Sequence, residues 1–164
     1  MKMSDFLEEM PESFAIEVLS ALPGPDRKDL LRKHNAKVKV SAGTLKRATR
    51  MAKECKRLVS ALKKSDDLDA KRTFLQGWLA RRAEMIVHFL GAWEVDNNNG
   101  IVENFDWVDT VELDTIKNSI EQLEIKELEP IAPLVYFAYL ELPCTAEVLD
   151  VPALWAGLEA ASAS

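Results

Sequence analysis

The sequence predicts an all-α fold: a single-domain helical bundle built on a long antiparallel helical hairpin, about 44–64 and 66–95. Three observations predict it. Apolar residues recur at spacings of three and four over most of the chain. The two longest such stretches are separated only by Ser65-Asp66-Asp67, a turn short enough to make its flanking helices antiparallel neighbours. Alternation of the strand type is confined to a loose pattern near 101–108. With 164 residues, 48% of them hydrophobic, the chain can bury one real core across 1–164. Within that domain lie a short-helix segment (1–40), a basic amphipathic hairpin (41–96) and an acidic helical half (97–164).

The elements follow in order. Ser4–Met10 reads as a short helix. Pro11 suits the first turn of a second one, with Phe14, Ile16, Val18, Leu19 and Leu22 apolar, and Pro23-Gly24-Pro25 stops it. Asp26 opens a third, to about His34, and 35–40 is a basic linker. Over 44–64 the positions Leu45, Ala48, Ala52, Cys55, Val59 and Leu62 step by three and four as a seam, which Met51 and Leu58 widen. Ser65-Asp66-Asp67 caps the next helix, whose apolar arc runs from Leu68 through Phe74, Trp78, Met85 and Phe89 to Trp93.

Asp96-Asn97-Asn98-Asn99-Gly100 is a turn signal, and a short β-ribbon near 93–108 is compatible with the pattern around it. Asp109-Thr110-Val111-Glu112 has capping-box form and opens an amphipathic helix to about Ile125. Pro130 or Pro133 starts a helix apolar all round, hence central and buried, which Pro143 ends. Thr145 and Pro152 open one or two last short helices to about Leu158, and Ala160–Ser164 frays.

The first of these helices carry a local likeness. Leu7-Glu8-Glu9-Met10-Pro11, then Ala15, Val18-Leu19, Leu22-Pro23, Asp26-Arg27 and Leu30-Leu31, resembles the short-helix repeats in the N-terminal domain of magnesium transporters and in flagellar motor-switch proteins. It covers residues 7–31, and no further repeat follows. It implies a helical hairpin there and a taste for stacking on other proteins.

Charge is segregated. The net of −6 hides a basic stretch and an acidic half. Residues 26–64 carry fourteen Lys and Arg against Asp26, Asp29 and Glu54, a net of +11, while 97–164 carry Lys117 and Lys126 against thirteen acids, a net of −11. Such asymmetry points to nucleic-acid contact, an acidic partner, or internal complementarity. On the far side of the seam, Lys46, Arg50, Lys53, Arg57 and Lys64 form one stripe.

Other classes lose support. Acids appear within the first ten residues with no apolar run, so no secretory signal is expected. The longest strongly apolar stretch, 131–142, is interrupted by Pro133 and is far short of the ~20 residues that cross a bilayer. Cys55 and Cys144 have no metal-knuckle spacing, and a reduced, cytoplasmic protein is the default. No Gly-rich phosphate loop, nucleophile elbow or catalytic carboxylate pair is present, so no catalytic residue, metal or cofactor is assigned.

Three further residues stand out. Arg82 falls in the middle of the apolar arc of the second hairpin helix, and a guanidinium there needs a partner. An acid from 103–129 would supply it; otherwise Arg82 receives an anionic ligand. Trp107 and Trp155 lie in less regular segments and are candidate anchors for a partner. Glu103, Asp106, Asp109, Glu112 and Asp114 surround Trp107, giving an acidic aromatic surface able to imitate the charge of nucleic acid or to dock a basic protein. The expected function is therefore a non-enzymatic, cytoplasmic protein–protein interaction module of regulatory or adaptor type, self-associating or bound to another protein. The alternative is a nucleic-acid-associated protein using the Lys46–Lys64 stripe.

Overall fold

The computed structural model describes residues 1–40, 46–123 and 129–162, and over them the chain is all-α without a strand. It divides into two compact units, Met3–Trp78 and Leu79–Ser164 with Met1–Lys2.

In the first unit the short helices expected at the start of the chain are α1 (Met3–Glu9), α2 (Glu12–Ala21) and α3 (Gly24–Lys33). Pro11 and Pro23 sit just before α2 and α3, where the missing N–H costs nothing. Asn35 ends α3 in the left-handed region (φ 50°), and the N–H of Ala36 returns to Leu31 O at 2.8 Å. Two longer helices follow, α4 (Arg47–Lys63) and α5 (Leu68–Leu79). Asp67 caps α5 by accepting the Ala70 N–H at 2.9 Å. Its hydrogen bond from Lys33, reinforced by the one from Ala70, holds its carboxyl below the usual range.

α4 packs against α1 and α2, not chiefly against α5 as an antiparallel hairpin would require. The start of the expected helix, Thr44 and Leu45, lies outside the described residues. The buried face of α4 consists of Glu54, Cys55, Leu58 and Leu62, while Ala48 is exposed and Ala52 and Val59 are half-buried. The reason is area. A leucine fully buried contributes about 1.5–3 kcal/mol, so Leu58 and Leu62 orient the helix and the alanines follow. The buried arc is centred roughly 130° around the helix from the basic stripe, rather than opposite it.

Burial pushes the Cys55 thiol up to about 12, with a smaller push from the Glu12 carboxylate. Trp78 meets Phe14 edge-on at 5.2 Å and donates its indole N–H to Glu17 at 2.6 Å. Gly77 brings α5 against the end of α2: a Cβ there would stand 2.8 Å from Leu22 Cα and 2.9 Å from Ala21 O.

The second unit holds α6 (Ala83–Ala92), α7 (Leu113–Gln122), α8 (Ile131–Leu140), α9 (Thr145–Val148) and α10 (Val151–Ser162). The single helix expected across 66–95 is therefore two, interrupted by a 3-10 turn at Ala80–Arg82. Arg82, expected in the middle of the apolar arc, closes this turn, and its guanidinium is ion-paired with Glu129. α8 is the expected central helix: every residue but Tyr139 is buried, and burial raises the Tyr136 hydroxyl pKa. α6 packs on α7, α10 on α8, and α9 on both α7 and α8.

The β-ribbon reduces to one antiparallel bridge, Asn98–Ile101. The Asp109–Glu112 capping box does not form. Residues Asp106–Thr110 make a 3-10 turn, and α7 starts at Leu113 with no side-chain cap. The far end expected for that helix, Ile125, lies outside the described residues. α10 continues past Leu158 to Ser162; residues 163–164 lie outside them.

Gly77→Ala is expected to lower stability by about 1–3 kcal/mol in denaturant melts, because only backbone atoms can yield. Gly91→Ala, whose Cβ meets nothing within 4 Å, should instead raise it by about 0.4–1 kcal/mol. In a thiol titration near neutral pH, Cys144 should react in the native protein and buried Cys55 only after denaturant is added.

Candidate functional site

The second unit opens a cleft of about 1030 Å³ between the end of α6, the loop that follows, and the start of α7. Its geometry begins at Trp93. α6 closes in a Schellman turn: Glu94 takes the left-handed region (φ 59°), its N–H bonds Gly91 O at 3.2 Å, and the Val95 N–H bonds Leu90 O at 2.8 Å. Glycine would fill that position at about 1 kcal/mol less cost than glutamate.

The loop turns back at once. Asn97 donates to Val95 O and accepts the Gly100 N–H, at 3.0 and 2.9 Å. Asn99 (φ 52°) and Gly100 (φ 83°) form the two-residue turn that twisted hairpins prefer. A Cβ at Gly100 would stand 3.2 Å from Ile86 Cγ2, so both the conformation and the approach to α6 require glycine. Ile101, past this turn, is 68% exposed.

Trp107 forms the opposite wall. Asn104 builds its support: the Asn104 carboxamide oxygen accepts the Asp106 N–H at 2.9 Å, and Asn104 O accepts the Trp107 indole N–H at 2.7 Å. Trp107 is half-buried and lies 5.9 Å from Trp93, ring to ring. Trp93 is fixed more firmly. It gives its indole N–H to Ser119 Oγ at 3.1 Å, Ser119 gives its own proton to Ile116 O at 2.7 Å, and the Trp93 ring stacks on Tyr136 at 6.2 Å. The cleft floor is thus the edge of an aromatic core.

Among the described residues, the walls carry four carboxylates, Glu94, Asp96, Glu103 and Glu112, and no Lys, Arg or His. Four acids over an aromatic floor repel anions and favour cations, and a tryptophan face adds about 0.5–2 kcal/mol for an ammonium or guanidinium set against it. Among the described residues no group of His, Cys, Asp and Glu is placed to hold a metal ion.

Of the acids expected around Trp107, Glu103 and Glu112 line the cleft, whereas Asp106, Asp109 and Asp114 do not. Glu94, Asp96, Trp93 and Ile101 were not assigned to the site from sequence. The Asn-rich turn is the signal that could have found them, since it folds 94–97 back towards 101–104. Trp155 is buried in α10, which packs on α8; it belongs to the core and is no surface anchor. Arg82 is ion-paired with Glu129 and is not a cleft residue.

The basic stripe lies in the other unit. Lys46, Arg50, Lys53, Arg57 and Lys64 are all exposed. Arg50 bonds the buried carboxylate of Glu54 at 3.0 Å, so it serves the fold. Among the described residues, Lys46, Lys53, Arg57 and Lys64 enter no ion pair. They span about 27 Å of helix.

No family model, curated protein or solved structure matches the chain.

Ser119→Ala should leave the Trp93 indole N–H buried without its acceptor. The expected loss is about 1–3 kcal/mol in chemical denaturation, with a changed near-ultraviolet circular dichroism signal from Trp93.

Proposed function

We propose that this chain is a non-enzymatic protein-interaction module, regulatory or adaptor in type, that receives a basic segment of a partner protein in the acidic cleft of its second unit. The observation that carries the reading is the cleft itself: among the described residues its lining holds four carboxylates, no cation, and the Trp93–Trp107 pair. A lysine or arginine side chain fits such a site twice over, its stem against the aromatic floor and its head among the carboxylates. Among the described residues, no helix is long and apolar enough to cross a membrane. The reading places the module in the cytoplasm, where two free thiols stay reduced.

A second reading keeps the stripe of α4 as a nucleic-acid contact. Four exposed cations in a row without ion pairs favour it. It would give log affinity against log salt a slope of about −3 to −4.

The test is fluorescence anisotropy of labelled peptides with the full chain. A Lys- and Arg-rich peptide should bind and a Glu-rich peptide of equal length should not. Affinity should fall about tenfold or more as ionic strength rises from ~0.01 M to ~1 M. Trp107→Ala and the fourfold amide variant Glu94→Gln, Asp96→Asn, Glu103→Gln, Glu112→Gln should each abolish binding while leaving the circular dichroism spectrum unchanged. Equal binding by the amide variant would refute the cleft as the site. Retention of a single-stranded oligonucleotide with no peptide binding would move the assignment to the stripe.

A further inference from the structure

The cleft and the stripe are complementary in sign, and they occur on the same chain. Four carboxylates and two tryptophans line the cleft of one unit, and four cations stand exposed along one helix in the other. None of Lys46, Lys53, Arg57 and Lys64 enters an ion pair among the described residues. Nor does any of Glu94, Asp96, Glu103 and Glu112. The residues of both sets are exposed. We infer that the occupant of the cleft is α4 of a second copy of this chain, entering with its Lys46–Lys64 face. This rests on the reading of the cleft as a docking site for cations.

The geometry of the two surfaces favours a helix over a loose tail. On α4 the cations project from a rigid rod held by its packing on α1 and α2, so little conformational entropy is lost when they dock. Lysine stems can cover Trp107 and the exposed Ile101 while their ammonium groups meet the carboxylates. Because the two faces differ, the contact is heterologous. Each copy offers one donor face and one acceptor face, so association proceeds head to tail into a ring or an open chain.

Sedimentation velocity on the full chain tests this. At about 0.01 M ionic strength the mass should rise with protein concentration, and at about 1 M, where screening acts within ~3 Å, it should fall to the monomer. A stripe variant, Lys46→Gln, Lys53→Gln, Arg57→Gln and Lys64→Gln, should be monomeric at low salt; Arg50 is left in place because Glu54 depends on it. The fourfold cleft amide variant should be monomeric too.

Mixing the two variants is the decisive arm. The stripe variant keeps an intact cleft and the cleft variant an intact stripe, so an equimolar mixture should yield particles of twice the monomer mass that grow no further. A wild-type chain that stays monomeric at low salt, variants that associate as the wild type does, or a mixture that does not pair would each overturn the inference. The peptide titration separates the two ideas. A monomeric wild type that binds the basic peptide removes self-association and leaves the cleft with another partner; loss of both removes the docking reading as well.

Discussion

The indole of Trp93 satisfies several requirements at one place. It ends α6, it gives its proton to Ser119 on α7, it stacks on Tyr136 of α8, and its other side meets Trp107. A buried indole N–H without an acceptor costs about 1–3 kcal/mol, so the ring is held where Ser119 can take its proton, and α7 is tied to the end of α6. The Schellman turn that follows places Glu94 and Asp96 on one side, and the loop returns through Asn104 to set Trp107 on the other. Displacing Trp93 would take the cleft floor and one wall with it.

Function in this molecule is a matter of which charges the fold uses up. Arg50, Arg82 and Lys33 are paired with Glu54, Glu129 and Asp67, and among the described residues the remaining stripe cations are not. The distinction cannot be seen in a helical wheel. Arg50 and Arg57 fall on the same face of α4, each a turn from the buried Glu54, and it is Arg50 that pairs with it. A net of −6 therefore describes neither surface that a partner would meet.

The class of fold was legible because periodicity and proline positions are local signals. α1 to α3, the all-apolar α8 and the Asp67 cap follow from spacing alone. The packing of α4 was not legible. Its wheel allows Ala48, Ala52 and Val59 or Glu54 and Leu58 to face inward, and the choice belongs to α1 and α2, which are distant in sequence. The break at Ala80–Arg82 has no glycine or proline to announce it, and Glu129, which pairs with Arg82, lies forty-seven residues on. The Trp107 half of the site was readable as an acidic aromatic run. The Trp93 half was not, because a residue that faces both core and cleft carries only the core signal in its spacing.

The glutamate at position 94 sets a limit on how this protein can be improved. A designer seeking thermal robustness would place glycine at the left-handed end of α6 and would gain about 1 kcal/mol. The same change strips a carboxylate from the rim. On the proposed reading of the cleft, robustness and recognition compete at this residue for a single backbone torsion, and a library screened for melting temperature alone would enrich variants with fewer rim carboxylates. Selection at this site has to score both properties together.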